Sequence, residues 1–125
     1  MEKVIINTTE APAAVGPYVQ AVKTGGMIYC SGQLGLDPTT GNLRENIEAQ
    51  TKQSMENLGK VLKEAGSDYS KIIKTTIFLA DMNDFSVVNE IYKGYFGESY
   101  PARSCVQVAK LPKDGLVEIE CIAAE

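Results

Sequence analysis

The chain has 125 residues, 44% hydrophobic and 22% charged, a composition typical of ordinary globular proteins that predicts one domain spanning residues 1–125. Its net charge of −4 and its scattered basic residues argue against a nucleic-acid surface, because phosphate binding needs clustered lysine and arginine. The sequence contains no histidine, which excludes Ser-His-Asp and Cys-His catalysis within the chain and the zinc sites built on histidine.

The first third of the chain predicts three strands separated by turns. Lys3–Asn7 ("KVIIN") forms a short strand, and a loop punctuated by prolines and a glycine follows it ("APAAVGPY"). Two further strands flank Gly25–Gly26, a pair typical of tight hairpins. The turn-rich stretch "LGLDPTTGNL" then leads into the first helix.

Two helices and three strands complete the prediction. Apolar residues at spacings of three and four predict a helix from about Arg44 to Ala65, which Gly66 ends. The β-branched stretch Lys71–Asp81 predicts a buried strand. A second helix, capped by Asn83 or Asp84, runs to about Phe96, and "RSCVQVAKL" and "GLVEIECIAA" close the chain as strands.

The resulting order, β-β-β-α-β-α-β-β, predicts an α+β fold. Two helices would cover one face of a mixed six-stranded sheet. Since no third helix remains for the opposite face, we expect a second subunit to cover it.

We expect neither a signal peptide nor a membrane-spanning segment from this sequence. The first residues lack the charged and then long apolar segments of a signal peptide, and no stretch reaches the roughly 18 apolar residues of a membrane span. We therefore expect a cytoplasmic protein without membrane contact. Cys30, Cys105 and Cys121 agree with this, since they form no CxxC pair and lie among apolar residues, as buried reduced thiols do.

The last two strands carry an unusual set of polar residues. Strand alternation places Arg103 and Cys105 on one face of their strand, and Glu118 and Glu120 on one face of the next. A plain hairpin would leave Arg103 and Glu118 about 16 Å apart. The two residues can share a site only if the strands are not simple neighbours or if two chains meet. Otherwise the glutamates are solvated strand residues and Arg103 pairs with one carboxylate.

Five sequence motifs together resemble those of one known family. They are "GPY" (16–18), "CSGQ" (30–33), "KTTIFLADMNDF" (74–85), "YPARSC" (100–105) and "LPKDGLVEIECIA" (111–123). From about residue 3 to residue 124 the chain resembles the Rid family, also called YjgF-like, and within it the RidA group of 2-iminobutanoate/2-iminopropanoate deaminases.

The resemblance implies a chorismate-mutase-like fold that assembles as a homotrimer. The sheets would form a central barrel with the helices outside, and the sites would lie in clefts between subunits. It further implies hydrolysis of 2-imino acids or their enamine tautomers to 2-oxo acids and ammonia. No motif of the sequence calls for a cofactor, and we expect neither a cofactor nor a metal.

The resemblance also implies roles for individual residues. Arg103 would anchor the substrate carboxylate through two parallel hydrogen bonds. Glu118 would orient or deprotonate the attacking water, or carry its proton to nitrogen. Glu120 lies two residues further along on the same strand face, and we expect it to be structural.

Five more residues would line the site. The hydroxyl of Tyr18 would bond the substrate, and the backbone around Ser31 and Gly32 would approach it closely. Asn89 would line the site or make a structural hydrogen bond. Cys105 would contribute backbone contacts, because no evident base is available to activate its thiol.

Two other functions stay open on the sequence. A non-catalytic, ligand-binding regulatory trimer would keep Arg103 as a carboxylate anchor, although the presence of Glu118 favours catalysis. RNA cleavage, a function attached to relatives, is disfavoured by the acidic charge, the absence of histidine and the lack of a basic or aromatic surface motif.

Overall fold

The computed structural model describes residues 2–125, and its elements follow the predicted order. The strands are β1 (Val4–Ile6), β2 (Ala21–Thr24), β3 (Met27–Leu34), β4 (Ile72–Leu79), β5 (Ala102–Gln107) and β6 (Val117–Ala124). The helices are α1 (Ile47–Glu64) and α2 (Phe85–Lys93).

The six strands form one mixed sheet in the order β1-β2-β3-β6-β4-β5. The pair β4–β5 is parallel, and every other neighbouring pair is antiparallel. Helix α1 packs on β3 and β6, and α2 packs on α1. The main hydrophobic core lies between the helices and this face of the sheet. The predicted α+β fold, a mixed six-stranded sheet with two helices on one face, is confirmed.

Helix α1 begins at Ile47 rather than at the predicted Arg44. The side chain of Asn46 caps it by accepting the N–H of Ala49 at 2.9 Å. The N–H of Arg44 still donates to the carbonyl of Gly35 at 3.0 Å and so belongs to the preceding loop. The predicted end is confirmed, because Gly66 adopts φ +86°, a conformation in which glycine terminates helices without strain.

Helix α2 differs from its prediction at both ends. Asp84 occupies the cap position but makes no capping hydrogen bond with its side chain. Asp81 instead accepts the N–H of Asn83 at 2.9 Å and caps a short 3₁₀ turn that leads into the helix. The helix ends at Lys93, short of the predicted Phe96.

A buried polar stripe on α1 holds the segments that surround the candidate site. Ser54 donates to the carbonyl of Gln33, and Asn57 donates to the carbonyls of Leu34 and Leu36. Similarly, the side chain of Gln50 accepts the N–H of Leu116 at 2.9 Å and donates to the carbonyl of Arg44. Since buried polar groups need partners, these bonds fix the end of β3 and the start of β6 against the helix.

Neither helix covers the opposite side of the sheet, which we call the open face. It exposes large apolar side chains, among them Ile5, Tyr29 and Val106, each with about half of its surface accessible. A sheet face that exposes apolar side chains and that no helix covers suits contact with another protein surface. Within residues 2–125, no helix has the length and apolar character to cross a membrane.

Candidate functional site

The two strands that carry the predicted site residues, β5 and β6, do not pair with each other. Strand β4 lies between them and pairs with both. Arg103 stands beside Thr75, and Glu118 beside Phe78, three residues further along β4. The two positions are thus separated by about 10 Å along the strands and about 10 Å across them.

Arg103 and Glu118 also point to opposite faces of the sheet. Arg103 and Cys105 lie on the helix face, where the neighbour of Arg103, Thr75, is fully buried. Glu118 and Glu120 lie on the open face, alternating with buried apolar residues. The predicted alternation is therefore confirmed for both strands. The sheet itself, however, separates the guanidinium from the carboxylate, so one chain does not bring them to the same small ligand.

Arg103 is held by helix α2 without an acidic partner. Its Nη1 donates to Oδ1 of Asn89 at 2.6 Å, and its Cζ lies 5.4 Å from the ring centroid of Phe85 and 5.2 Å from that of Tyr92. None of the ion pairs found in residues 2–125 includes Arg103. A cavity of about 420 Å³, which Tyr100 also lines, opens beside the guanidinium. Its positive charge is therefore available to an anion.

Glu118 lines a second cavity, of about 470 Å³, together with Tyr18, Ser31 and Gly32. Burial raises the pKa of Glu118 above the ordinary value of a glutamic acid, and the negative charge of the neighbouring Glu120 raises it further. A carboxyl group with a raised pKa is a stronger base once ionised, which suits proton transfer.

The structure thus assembles the predicted site residues as two groups rather than one. Tyr18, Ser31, Gly32 and Glu118 meet at one cavity, while Asn89 and Arg103 meet at the other. Cys105 lies on the face and strand of Arg103. Their roles in binding stay predictions.

Ser31 uses both of its hydrogen-bond donors inside the fold, and its predicted place in ligand binding stays a prediction. Its N–H donates to the carbonyl of Gln20 at 2.9 Å, and its hydroxyl donates to the carbonyl of Val19 at 2.7 Å. Ser31 therefore holds the segment that carries Tyr18 against β3.

Gln20 helps to build the site, although no sequence pattern indicates it. Its buried side chain accepts the N–H of Thr8 at 2.7 Å and donates to the carbonyls of Thr8 and Pro12. It also lines the Glu118 cavity. These bonds fix the loop on which Tyr18 lies. A single glutamine at the start of a predicted strand carries no pattern that would reveal this function.

Cys105 lies on the helix face of β5 and is half-buried. Burial raises the pKa of its thiol, and the nearby charge of Arg103 only partly offsets this effect. A raised pKa leaves less thiolate at neutral pH, which argues against a nucleophilic role. Among residues 2–125, moreover, no group of three or more acidic or cysteine side chains is arranged to hold a metal ion.

The contact between Gly32 and Glu118 leads to a first prediction. A Cβ added at residue 32 would lie 2.8 Å from Cδ and 2.9 Å from Cγ of Glu118. Non-bonded carbon atoms in proteins do not come this close to a Cβ, so the Glu118 side chain would have to move. We expect Gly32→Ala to displace the Glu118 carboxylate and lower turnover at least about 10-fold while the chain still folds. Steady-state kinetics and circular dichroism measure both quantities.

Gly97→Ala is the control, because a Cβ at residue 97 would meet no atom within 4 Å. Unchanged turnover in Gly32→Ala would mean that the position of Glu118 does not matter.

Comparisons with known proteins show which family the chain belongs to. The sequence pattern of the family described as Endoribonuclease L-PSP matches residues 8–125. The chain belongs to this family. A mouse protein named 2-iminobutanoate/2-iminopropanoate deaminase is 55% identical over 122 residues, which cover 97% of this chain and 90% of the mouse protein.

Two crystal structures are also similar over nearly the whole chain. Escherichia coli TdcF with bound serine is 47% identical, with a TM-score of 0.94 and 98% of each chain covered. RidA from an Antarctic Psychrobacter is 48% identical, with a TM-score of 0.95, covering 98% of this chain and 99% of the other. These relatives confirm the membership in the Rid family that the motifs predicted.

Proposed function

We propose that this protein hydrolyses reactive 2-imino acids, such as 2-iminobutanoate and 2-iminopropanoate, to 2-oxo acids and ammonia. Water adds to the C=N carbon, and the nitrogen leaves as ammonia after protonation. The observation that carries this proposal is the name shared by mammalian relatives that are about half identical to it over nearly its full length. The charges of the two cavities support it.

The Arg103 cavity suits the carboxylate of such a substrate. Since Arg103 has no acidic partner among residues 2–125, a ligand carboxylate meets an uncompensated guanidinium. Its planar fork forms two parallel charge-assisted hydrogen bonds with a carboxylate. The carboxylate is thereby fixed, and the adjacent C=N carbon takes a defined position.

The Glu118 cavity suits the activation of the attacking water and the protonation of the leaving nitrogen. In its ionised form Glu118 accepts a proton from the attacking water, and it can return that proton to the departing nitrogen. Tyr18 adds a hydroxyl at the same cavity. Imines are already electrophilic, so positioning and one proton relay are sufficient for a useful rate.

The opposite faces of Arg103 and Glu118 support sites between subunits. We propose that the open face packs against copies of this chain in a homotrimer, as the apolar side chains on that face suggest. Each site would then combine Arg103 of one chain with Glu118 of another. We also propose that the protein acts in the cytoplasm.

The assembly leads to a second prediction. We expect light scattering at micromolar concentration to give about three times the chain mass of 13.5 kDa. Substitution of Val106 by lysine on the open face should shift the mass toward that of one chain, whereas Lys52→Ala on the helix side should not. A wild-type protein that stays monomeric would contradict the shared site.

The reaction itself is tested by trapping the imine. A threonine dehydratase generates 2-iminobutanoate, semicarbazide traps it, and this protein should lower the yield of the trapped product. Arg103→Ala serves as the inactive control. If the yield of trapped product is the same with the wild type as without any added protein, the proposed activity is wrong.

Cys105 leads to a third prediction. Because water is the proposed nucleophile and burial keeps this thiol protonated, Cys105→Ala should retain most of the activity. A loss beyond roughly 100-fold in a folded protein, equivalent to about 2.7 kcal/mol in the barrier, would instead indicate covalent catalysis. The trapping assay and thermal unfolding measure both properties.

The other two functions are weaker. A regulatory, ligand-binding trimer explains Arg103 but not a half-buried glutamate with a raised pKa at the second cavity. RNA cleavage is suggested by the description of the family. The net charge of −4 and the absence of histidine disfavour it.

A further inference from the structure

Three residues on one face of α2 surround the Arg103 side chain. Phe85, Asn89 and Tyr92 follow one another at spacings of four and three, which places them in one row along the helix. The amide oxygen of Asn89 accepts from Nη1, and both rings lie within cation–π distance of the guanidinium carbon. We call these three residues the Arg103 seat.

A hydrogen bond to the sheet fixes the ring of Tyr92. Its hydroxyl bonds to Oγ1 of Thr75 at 2.7 Å, and both side chains are buried. Thr75 is the β4 residue paired with Arg103, so the threonine and the arginine project from the same face of adjacent strands. The position of the ring is therefore coupled to the strand beside Arg103.

The other arginine of the chain shows a different arrangement. Arg44 pairs with the carboxylate of Asp37 at 3.4 Å and donates from two nitrogens to Gln53. Arg103 has two aromatic rings and an amide in the place of a carboxylate. Its surroundings orient the guanidinium without neutralising it.

We propose that Phe85 and Tyr92 are positioning residues that hold Arg103 in a neutral seat, so that its orientation is set before substrate binds and its full charge is kept for the substrate carboxylate. Cation–π contact and one amide bond restrict the long side chain. An acidic residue would restrict it equally well but would compete with the substrate. This inference rests on the proposed function for its substrate, although its first test does not need the substrate.

The first test is nuclear magnetic resonance of the arginine Nε–H groups in the free protein. The chain has only two arginines, so Arg44 is an internal reference. In the wild type, the Arg103 signal should be shifted upfield by the rings and should show the heteronuclear NOE of an ordered group. Tyr92→Leu should remove the shift and lower the NOE, whereas Tyr92→Phe should keep most of both.

Tyr95→Phe is the matched control. This tyrosine follows α2 and loses a hydroxyl bond to the carbonyl of Lys52, but its ring is not one of the two that flank Arg103. In Tyr95→Phe, the Nε–H signal of Arg103 should match that of the wild type. If Tyr92→Leu also leaves the Arg103 signal unchanged, the rings do not position the arginine and the proposal is overturned.

The second test adds a charge to the seat. Asn89→Asp keeps the size of the side chain but places a carboxylate at the oxygen now 2.6 Å from Nη1. We expect calorimetry to show 2-oxobutanoate binding weakened about 10-fold or more, with no loss of thermal stability. Tyr92→Leu should raise KM about 5- to 20-fold with a smaller change in kcat, and Tyr92→Phe should recover most of that loss.

The outcomes separate this proposal from the proposed function. If the wild type fails to hydrolyse imines, the activity is wrong, yet the Nε–H signals still decide whether the seat orders Arg103. If imines are hydrolysed and Asn89→Asp binds 2-oxobutanoate as the wild type does, the neutrality of the seat has no role in binding and that part of the proposal is overturned.

Discussion

Two inactive variants, Arg103→Ala and Glu118→Gln, should restore activity to each other when they are co-expressed. Within one chain Arg103 lies on the helix face of the sheet and Glu118 lies on the open face. We therefore expect each site to combine Arg103 of one chain with Glu118 of another. In trimers mixed at random, about a quarter of such sites hold both wild-type residues, and about a quarter of the wild-type imine hydrolysis should return.

Two different affinity tags allow the mixed trimers to be isolated and their composition checked by mass spectrometry. Each variant co-expressed with a differently tagged copy of itself is the control and should remain inactive. Mixed trimers without recovered activity would show that Arg103 and Glu118 do not act at one site from different chains. Recovery would locate the site at the interface without a crystal structure of the assembly.

The second prediction with a large effect distinguishes the binding of the substrate carboxylate from the activation of the attacking water. Arg103→Lys keeps the charge but loses the two-pronged geometry, so both imine hydrolysis and calorimetric binding of 2-oxobutanoate should fall by roughly 10- to 100-fold. Glu118→Gln keeps the size but loses the base, so turnover should fall by roughly 100-fold or more while 2-oxobutanoate still binds. Loss of binding in Glu118→Gln together with intact binding in Arg103→Lys would reverse the assigned roles.

The pH dependence provides a control for the Glu118 assignment. Activity should rise with pH as Glu118 ionises, and its raised pKa places this rise above the pH at which an ordinary glutamic acid ionises. Glu120→Gln removes the neighbouring negative charge that contributes to the shift, so the rise should move to lower pH. A rise that does not move would mean that another group controls the reaction.

Several features of the fold could be predicted because local patterns determine them. The β-branched stretch at 71–81, the apolar stripe of α1 and the double glycine at 25–26 each specify an element independently of the rest of the chain. Helix ends were less predictable. Several residues compete to cap α2, and the side chain of Asp81 makes a capping bond that the side chain of Asp84 does not.

The candidate site was only partly predictable. Motifs pointed to Arg103 and Glu118, whose roles stay predictions. The alternation of strand residues correctly grouped Arg103 with Cys105 and Glu118 with Glu120. The contribution of Gln20 could not be read from the sequence, because its partners lie on a loop 8 to 12 residues away. Hydrogen bonds to backbone groups leave no residue pattern at the positions they join.

The sequence by itself determined the order of the elements, the alternation of side chains along β5 and β6 and, through its motifs, the family. These properties depend on the chemistry of neighbouring residues, which the chain carries in any conformation. Only the tertiary structure decided that β4 inserts between β5 and β6 and that the two key charges lie on opposite faces. Strand pairing depends on contacts between distant segments, and many pairings satisfy the same local pattern equally well.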